Sequence, residues 1–131
     1  MLQTTPFTMY ANDIVAGYIY VAVGRSDQAS YATNNYSAIM WSPNGKTNWS
    51  PAKNVTTSET PFNVEGVSVI YSSKSSYYVA GGISTAYDAS RSAIMWSSNG
   101  KTGWTSATSI TSATPFSGPS GCKSLTYVDN D

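Results

Sequence analysis

An all-β chain assembled from repeated four-stranded sheets is what the sequence predicts, and three observations predict it. Ser37-Ala38-Ile39-Met40-Trp41-Ser42-Pro43-Asn44-Gly45-Lys46-Thr47-Asn48-Trp49-Ser50 returns 55 residues later as Ser92-Ala93-Ile94-Met95-Trp96-Ser97-Ser98-Asn99-Gly100-Lys101-Thr102-Gly103-Trp104-Thr105, with eleven of fourteen positions identical. A Thr-Pro-Phe marker stands at Thr5-Pro6-Phe7, Thr60-Pro61-Phe62 and Thr114-Pro115-Phe116. Between these landmarks lie short runs rich in Val, Ile, Tyr, Trp and Thr, each bounded by Gly, Asn or Ser, and none with a sustained helical period. Self-similarity at a fixed period is the mark of a repeat architecture.

The second copy shows its elements most clearly. Its first run spans Val67 to Tyr71 and ends in the polar cluster 72–76. The second spans Tyr77 to Ala80 and ends at Gly81-Gly82. The third spans Ala93 to Ser97 and ends at Asn99-Gly100, a strong hairpin signal because both residues tolerate positive φ. The fourth starts near Trp104 and runs toward Ile110. Earlier in the chain, Tyr20-Val21-Ala22-Val23-Gly24 matches Tyr78-Val79-Ala80-Gly81-Gly82; later, Leu125-Thr126-Tyr127 matches Val69-Ile70-Tyr71. The chain therefore divides into a first repeat at about 5–58, a second at about 59–112 and the opening strand of a third at about 113–131. The first repeat departs from the pattern at its start: 12 residues separate Phe7 from Tyr20, against 15 between Phe62 and Tyr78. The stretch 8–17 lacks a clear strand–turn–strand pattern, so a weak inner strand is expected there, with the surplus C-terminal strand of another copy pairing beside it.

Four antiparallel strands per period of this length point to β-propeller blades, about 2.3 per chain. A lone meander sheet cannot bury both faces and must stack on neighbours. Thr-Pro-Phe would be the crossing between blades, a place that suits proline because it donates nothing to a central ladder.

The loop after the third strand carries the most information. Ser42-Pro43-Asn44-Gly45-Lys46-Thr47-Asn48-Trp49 and Ser97-Ser98-Asn99-Gly100-Lys101-Thr102-Gly103-Trp104 resemble the Asp-box, Ser-x-Asp-x-Gly-x-Thr-Trp, the repeat of sialidases and other Asp-box propellers. Ser and Trp match at the first and eighth positions. Asn44 and Asn99 stand where the family usually has Asp, while Gly45, Gly100, Thr47 and Thr102 come one position early. The resemblance implies a loop linking the third and fourth strands of a blade, with Ser42, Asn44, Gly45, Thr47, Trp49 and Ser97, Asn99, Gly100, Thr102, Trp104 as folding elements. The short polar side chain would fold back onto backbone N–H groups, glycine would supply an otherwise strained conformation and tryptophan would be buried.

Sialidases gather three arginines on the substrate carboxylate, with a Tyr–Glu nucleophile pair and an Asp acid/base. This chain has two arginines, Arg25 and Arg91, and two glutamates, Glu59 and Glu65. No paired-carboxylate site for glycoside hydrolysis is evident either. Histidine is absent, which removes the commonest general base and the commonest zinc ligand. No catalytic residue, metal site or cofactor is expected. Seven basic and seven acidic residues cancel, an argument against nucleic acid and anionic membranes as partners. Only 11% of residues are charged, well below the usual quarter or so, and such a neutral surface suits assembly or sugar contact. Cys122, the single cysteine, reads as a buried thiol. The sequons at Asn35, Asn48 and Asn54 are explained by a Ser/Thr/Asn-rich composition. Neither a signal peptide nor an apolar membrane span appears, and the composition fits a virion, phage or cell-surface setting.

Closed propellers hold about four to eight blades. The expected function is therefore that of a non-enzymatic structural or interaction module that either closes a ring with copies of itself, as a trimer or tetramer, or belongs to a larger propeller. The alternative is a lectin-like, glycan-binding propeller, for which Tyr31, Tyr36 and Tyr87 after the second strands, and Arg91 before a third strand, are the candidate contacts.

Overall fold

The computed structural model describes residues 5–33, 35–55, 59–85, 87, 91–108, 116 and 121–128. The elements run β1 (Tyr10–Ala16), β2 (Tyr20–Arg25), α1 (Gln28–Ala32), β3 (Ile39–Ser42), β4 (Ser50–Pro51), β5 (Glu65–Ser72), β6 (Tyr77–Ile83), β7 (Ile94–Ser97) and β8 (Thr105–Ser106). They form two antiparallel four-stranded sheets, β1-β2-β3-β4 and β5-β6-β7-β8, each ordered as in the chain. The registers repeat: Tyr20 faces Ser42 and Val21 faces Trp41 in sheet one, as Tyr78 faces Ser97 and Val79 faces Trp96 in sheet two.

The inner strand of sheet one is fully formed, contrary to the expectation of a weak one. β1 pairs with β2 from Tyr10↔Arg25 to Ala16↔Tyr20, with a bulge between Ala11 and Asp13. Sheet two carries its bulge at the matching place, between Gly66 and Ser68. A bulge inserts one residue and shifts the in–out alternation by one; in sheet one the polar pair Asn12-Asp13 falls there, where sheet two has Val67-Ser68, and that masks the strand. The three missing residues come out of the hairpin end. β1 has seven residues against eight in β5, the turn is 17–19 against 73–76, and β6 begins one residue earlier than β2 relative to the paired Tyr20 and Tyr78.

Three further differences have local causes. β6 runs on through Gly81-Gly82 to Ile83. A Cβ at Gly82 would meet the Phe62 ring at 2.7 Å and the Glu65 carbonyl at 2.6 Å, so glycine marks a close approach here and not a strand end. Asn-Gly does not make a two-residue hairpin, because residues 43–49 intervene between β3 and β4. The helix α1 is too short to show a period; Asp27 caps it by accepting from the Ser30 N–H at 3.0 Å. Ser109 and Ile110, where the fourth strand was expected to extend, lie outside the described residues.

Alternation gives each sheet two faces. Val21, Val23, Ile39, Trp41 and Ala52 lie on one face of sheet one, the forward face; Tyr20, Ala22, Met40 and Trp49 lie on the other, the rear face. In sheet two Val79, Ile94, Trp96 and Ala107 are forward, and Tyr78, Ala80, Met95 and Trp104 are rear. The main core joins Val21, Val23, Ile39 and Ala52 to Tyr78, Ala80, Met95 and Trp104. Sheet one's forward face therefore packs on sheet two's rear face. The approach is close: a Cβ on Gly100 would lie 2.9 Å from Val21, and one on Gly66 would lie 2.7 Å from Val23. Inner strand β5 lies against β1 and β2, while at the far side Asn54 and Trp104 form a parallel bridge.

Residues 121–128 form no ladder, but they follow sheet two as β5 follows sheet one. The Leu125 N–H donates to Ser68 Oγ at 3.2 Å, as the Val69 N–H donates to Asp13 Oδ2 at 3.0 Å. Cys122 is buried where a Cβ on Gly81 would meet its Sγ at 2.6 Å, and Gly81 is the counterpart of Val23, over which Gly66 sits.

Candidate functional site

The two matching loops after β3 and β7 are built from the same bonds. Ser42 Oγ donates to the Thr47 carbonyl at 2.6 Å and accepts from the Gly45 N–H at 2.9 Å. Asn44 Oδ1 accepts from the Lys46 and Thr47 N–H groups, both at 2.8 Å, and its Nδ2 donates to Thr47 Oγ1 at 2.9 Å. Ser97, Asn99, Gly100, Lys101 and Thr102 repeat the pattern. Gly45 and Gly100 adopt φ of 74° and 76°. These polar atoms point at their own loop, so each loop closes on itself. Trp104 donates from Nε1 to the Gly100 carbonyl at 3.2 Å and is fully buried, whereas Trp49 is half-buried.

The seam between the sheets is stitched from both. Thr60 of the second Thr-Pro-Phe marker accepts from the Ala38 N–H at 2.8 Å, contacts Ser37 Oγ at 2.9 Å and donates to the Phe62 carbonyl at 2.7 Å. Tyr78 Oη accepts from the Ile19 N–H at 3.1 Å and donates to the Ile19 carbonyl at 3.0 Å. Lys101 Nζ lies 4.6 Å from the centre of the Trp41 ring, within cation–π range. Sequence reasoning passed over Thr60, Tyr78 and Lys101 as partners across the seam. Their signal was membership of the repeat, which says that a position matters but not which neighbour it meets.

Of the four predicted ligand contacts, two come together. Tyr31 and Arg91 line a polar hollow of about 420 Å³ beside the seam, with Gln28, Glu59 and Asn63. Both are already engaged. Tyr31 Oη donates to the Val64 carbonyl at 2.8 Å and accepts from the Ser26 N–H at 3.1 Å. Burial pushes its phenol up to about 12. Arg91 donates to the Thr60 carbonyl and pairs with Glu59 at 3.1 Å. Tyr36 is half-buried and lies outside this hollow. The Tyr87 hydroxyl is buried, which raises its pKa.

Two apolar hollows lie on the outward faces of the stack. One, of about 320 Å³, is on the forward face of sheet two and is lined by Tyr77, Val79, Ile94, Trp96 and Ala107. The other, of about 410 Å³, is on the rear face of sheet one and includes Pro6, Phe7, Ile14, Ala22 and Trp49. No helix among the described residues is long and apolar enough to cross a membrane. No family model matches the chain, and no curated protein or solved structure matches it.

Proposed function

We propose that this chain is a non-enzymatic structural module of the β-propeller type, its sheets acting as Asp-box-like blades. It would complete itself by adding further sheets of the same kind, either from copies of the chain or as part of a larger propeller. The observation that carries this reading is that unlike faces meet. A closed two-sheet sandwich would satisfy itself by pairing its core faces. A forward face on a rear face instead leaves one face of each kind open, as a solenoid or blade array does. The convergence of β5 on β1 and β2 supports the inner-strand assignment. The carboxylates within the described residues support a non-enzymatic role, because each has structural work. Asp13 receives the Val69 N–H, Asp27 caps α1, Glu59 pairs with Arg91, and Glu65 accepts from Tyr10 and Asn12.

A lengthened chain tests the reading. A second copy of residues 59–112, inserted after position 112, should stack as a third sheet and raise the thermal midpoint by several degrees, because nearest-neighbour interfaces add in repeat arrays. A lengthened chain that melts at or below the original midpoint would count against blade-like stacking.

The alternative reading, carbohydrate binding, draws on the polar hollow holding Tyr31 and Arg91. A glycan array with the Arg91→Ala chain as control decides it. Sugar binding that survives the substitution removes that hollow from consideration.

A further inference from the structure

The two open hollows are the two halves of an interface the chain already makes. The forward hollow of sheet two is lined by Tyr77, Val79, Ile94, Trp96 and Ala107. Their repeat counterparts in sheet one are Ile19, Val21, Ile39, Trp41 and Ala52, and every one belongs to or packs on the core beneath sheet two. The rear hollow of sheet one obeys the same rule. Its Pro6, Phe7, Ile14, Ala22 and Trp49 correspond to Pro61, Phe62, Val69, Ala80 and Trp104, all of them buried. Ile14 is 54% exposed where Val69 is 3%, and Trp96 is 40% exposed.

We infer that the forward face of sheet two receives the rear face of sheet one from a second copy of this chain, head to tail. This rests on the stacking reading above and names its partner. The internal seam fixes the register. Lys46 of the second copy takes the place of Lys101 and lies over Trp96. Tyr20 of the second copy takes the place of Tyr78 and bonds to the Tyr77 backbone, as Tyr78 does to Ile19. Ile14 fills the place of Val69. Such an interface joins two different surfaces, so it extends into a closed ring or an open row. The two linings are mainly apolar and hold one charged side chain, Asp13, so no like charges face each other between copies.

One segment of the chain occupies part of this seat. Residues 121–128 lie where an incoming β1 would lie, over Gly81 and beside Ser68. They hold it without a ladder, through the Cys122 and Leu125 N–H bonds at 3.2 Å each and the buried Cys122 side chain. The incoming β1 arrives fully paired to its own β2, with a whole sheet behind it. The segment therefore gives way on association and acts as a competitor for the seat.

Sedimentation of the full chain and of two surface variants tests the inference. The chain should sediment as a concentration-dependent multiple of its 14.0 kDa mass. Trp96→Asp spoils only the forward face and Ile14→Asp only the rear face. Each variant alone should be monomeric, with an unchanged far-ultraviolet spectrum. Their equimolar mixture should form a dimer and nothing larger, since one intact pair of faces remains. Cys122→Asp, which unseats the competing segment, should shift dissociation to lower concentration. A monomeric wild-type chain, a mixture that stays monomeric, or variants that assemble as the wild type does would each overturn head-to-tail docking. An association weakened by Cys122→Asp would overturn the proposed seat. A monomeric wild-type chain would not touch the stacking reading, which the lengthened chain tests separately.

Discussion

Trp49 and Trp104 hold the same position of the same loop, yet Trp104 is fully buried and Trp49 only half so. Tyr20 and Tyr78 differ in the same direction, at 38% and 1% exposed. The forward face reverses the order: Trp41 lies under Lys101, while Trp96 is open. Sequence identity fixes each sheet's internal bonds, and position in the stack fixes what its faces touch. The pairs of equivalent residues therefore form a built-in control, in which one chemistry is measured in two environments.

The largest separation is expected at the tryptophans. Trp104→Ala should cost about 3–5 kcal/mol, the range for large buried aromatics. Trp49→Ala should cost clearly less under conditions that keep the chain monomeric. Urea unfolding of both variants reads the gap, and equal costs would break the comparison. At the tyrosines, Tyr78→Phe strips the seam of a buried hydroxyl and leaves the Ile19 backbone N–H and carbonyl without that partner, at about 1–3 kcal/mol. Tyr20→Phe should stay within about 0.5 kcal/mol, as surface changes do. The asparagines should behave alike, because their bonds stay inside each loop. Asn44→Ala and Asn99→Ala should each cost about 1–2 kcal/mol, typical of lost caps, and a marked difference between them would show that the loop feels the neighbouring sheet.

A further comparison is a matter of pH. Burial raises the Tyr31 phenol to about 12, above its unfolded value of about 10. The folded chain thus favours the neutral form. The contribution of Tyr31 is complete below the unfolded value and is lost as pH rises through the window between the two. Thermal midpoints of the wild type and Tyr31→Phe should converge across that window. A constant separation would mean that Tyr31 does not titrate with folding.

Much of the sheet architecture was legible because it is local. The strand runs around Tyr20, Tyr78, Ile39 and Ile94 stand out by their Val, Ile, Tyr and Trp content, and the third strands carry the loop signature behind them. β1 was hidden because the polar pair Asn12-Asp13 falls at its bulge, and the glycines of β6 looked like punctuation when they serve the close approach of Phe62. The helix α1 was missed for lack of length. The polar hollow was half legible: Tyr31 and Arg91 stood out as non-repeated residues, but nothing local told that Glu59 and the Thr60 carbonyl would occupy Arg91. The seam was not legible at all, since partners such as Tyr78 and Ile19 lie in different repeats.

Closing the two loops with an amide side chain has a chemical consequence. A carboxylate in that place would gain a proton in acid and weaken as an acceptor, whereas Asn44 and Asn99 carry the same charge at any ordinary acidity. Asparagine before glycine ages when the glycine nitrogen attacks the side-chain carbonyl and expels ammonia, and water then opens the succinimide to aspartate and, in larger part, to isoaspartate. Ageing at Asn44 or Asn99 would thus add one negative charge and, in the isoaspartate product, lengthen the backbone of the turn by one methylene.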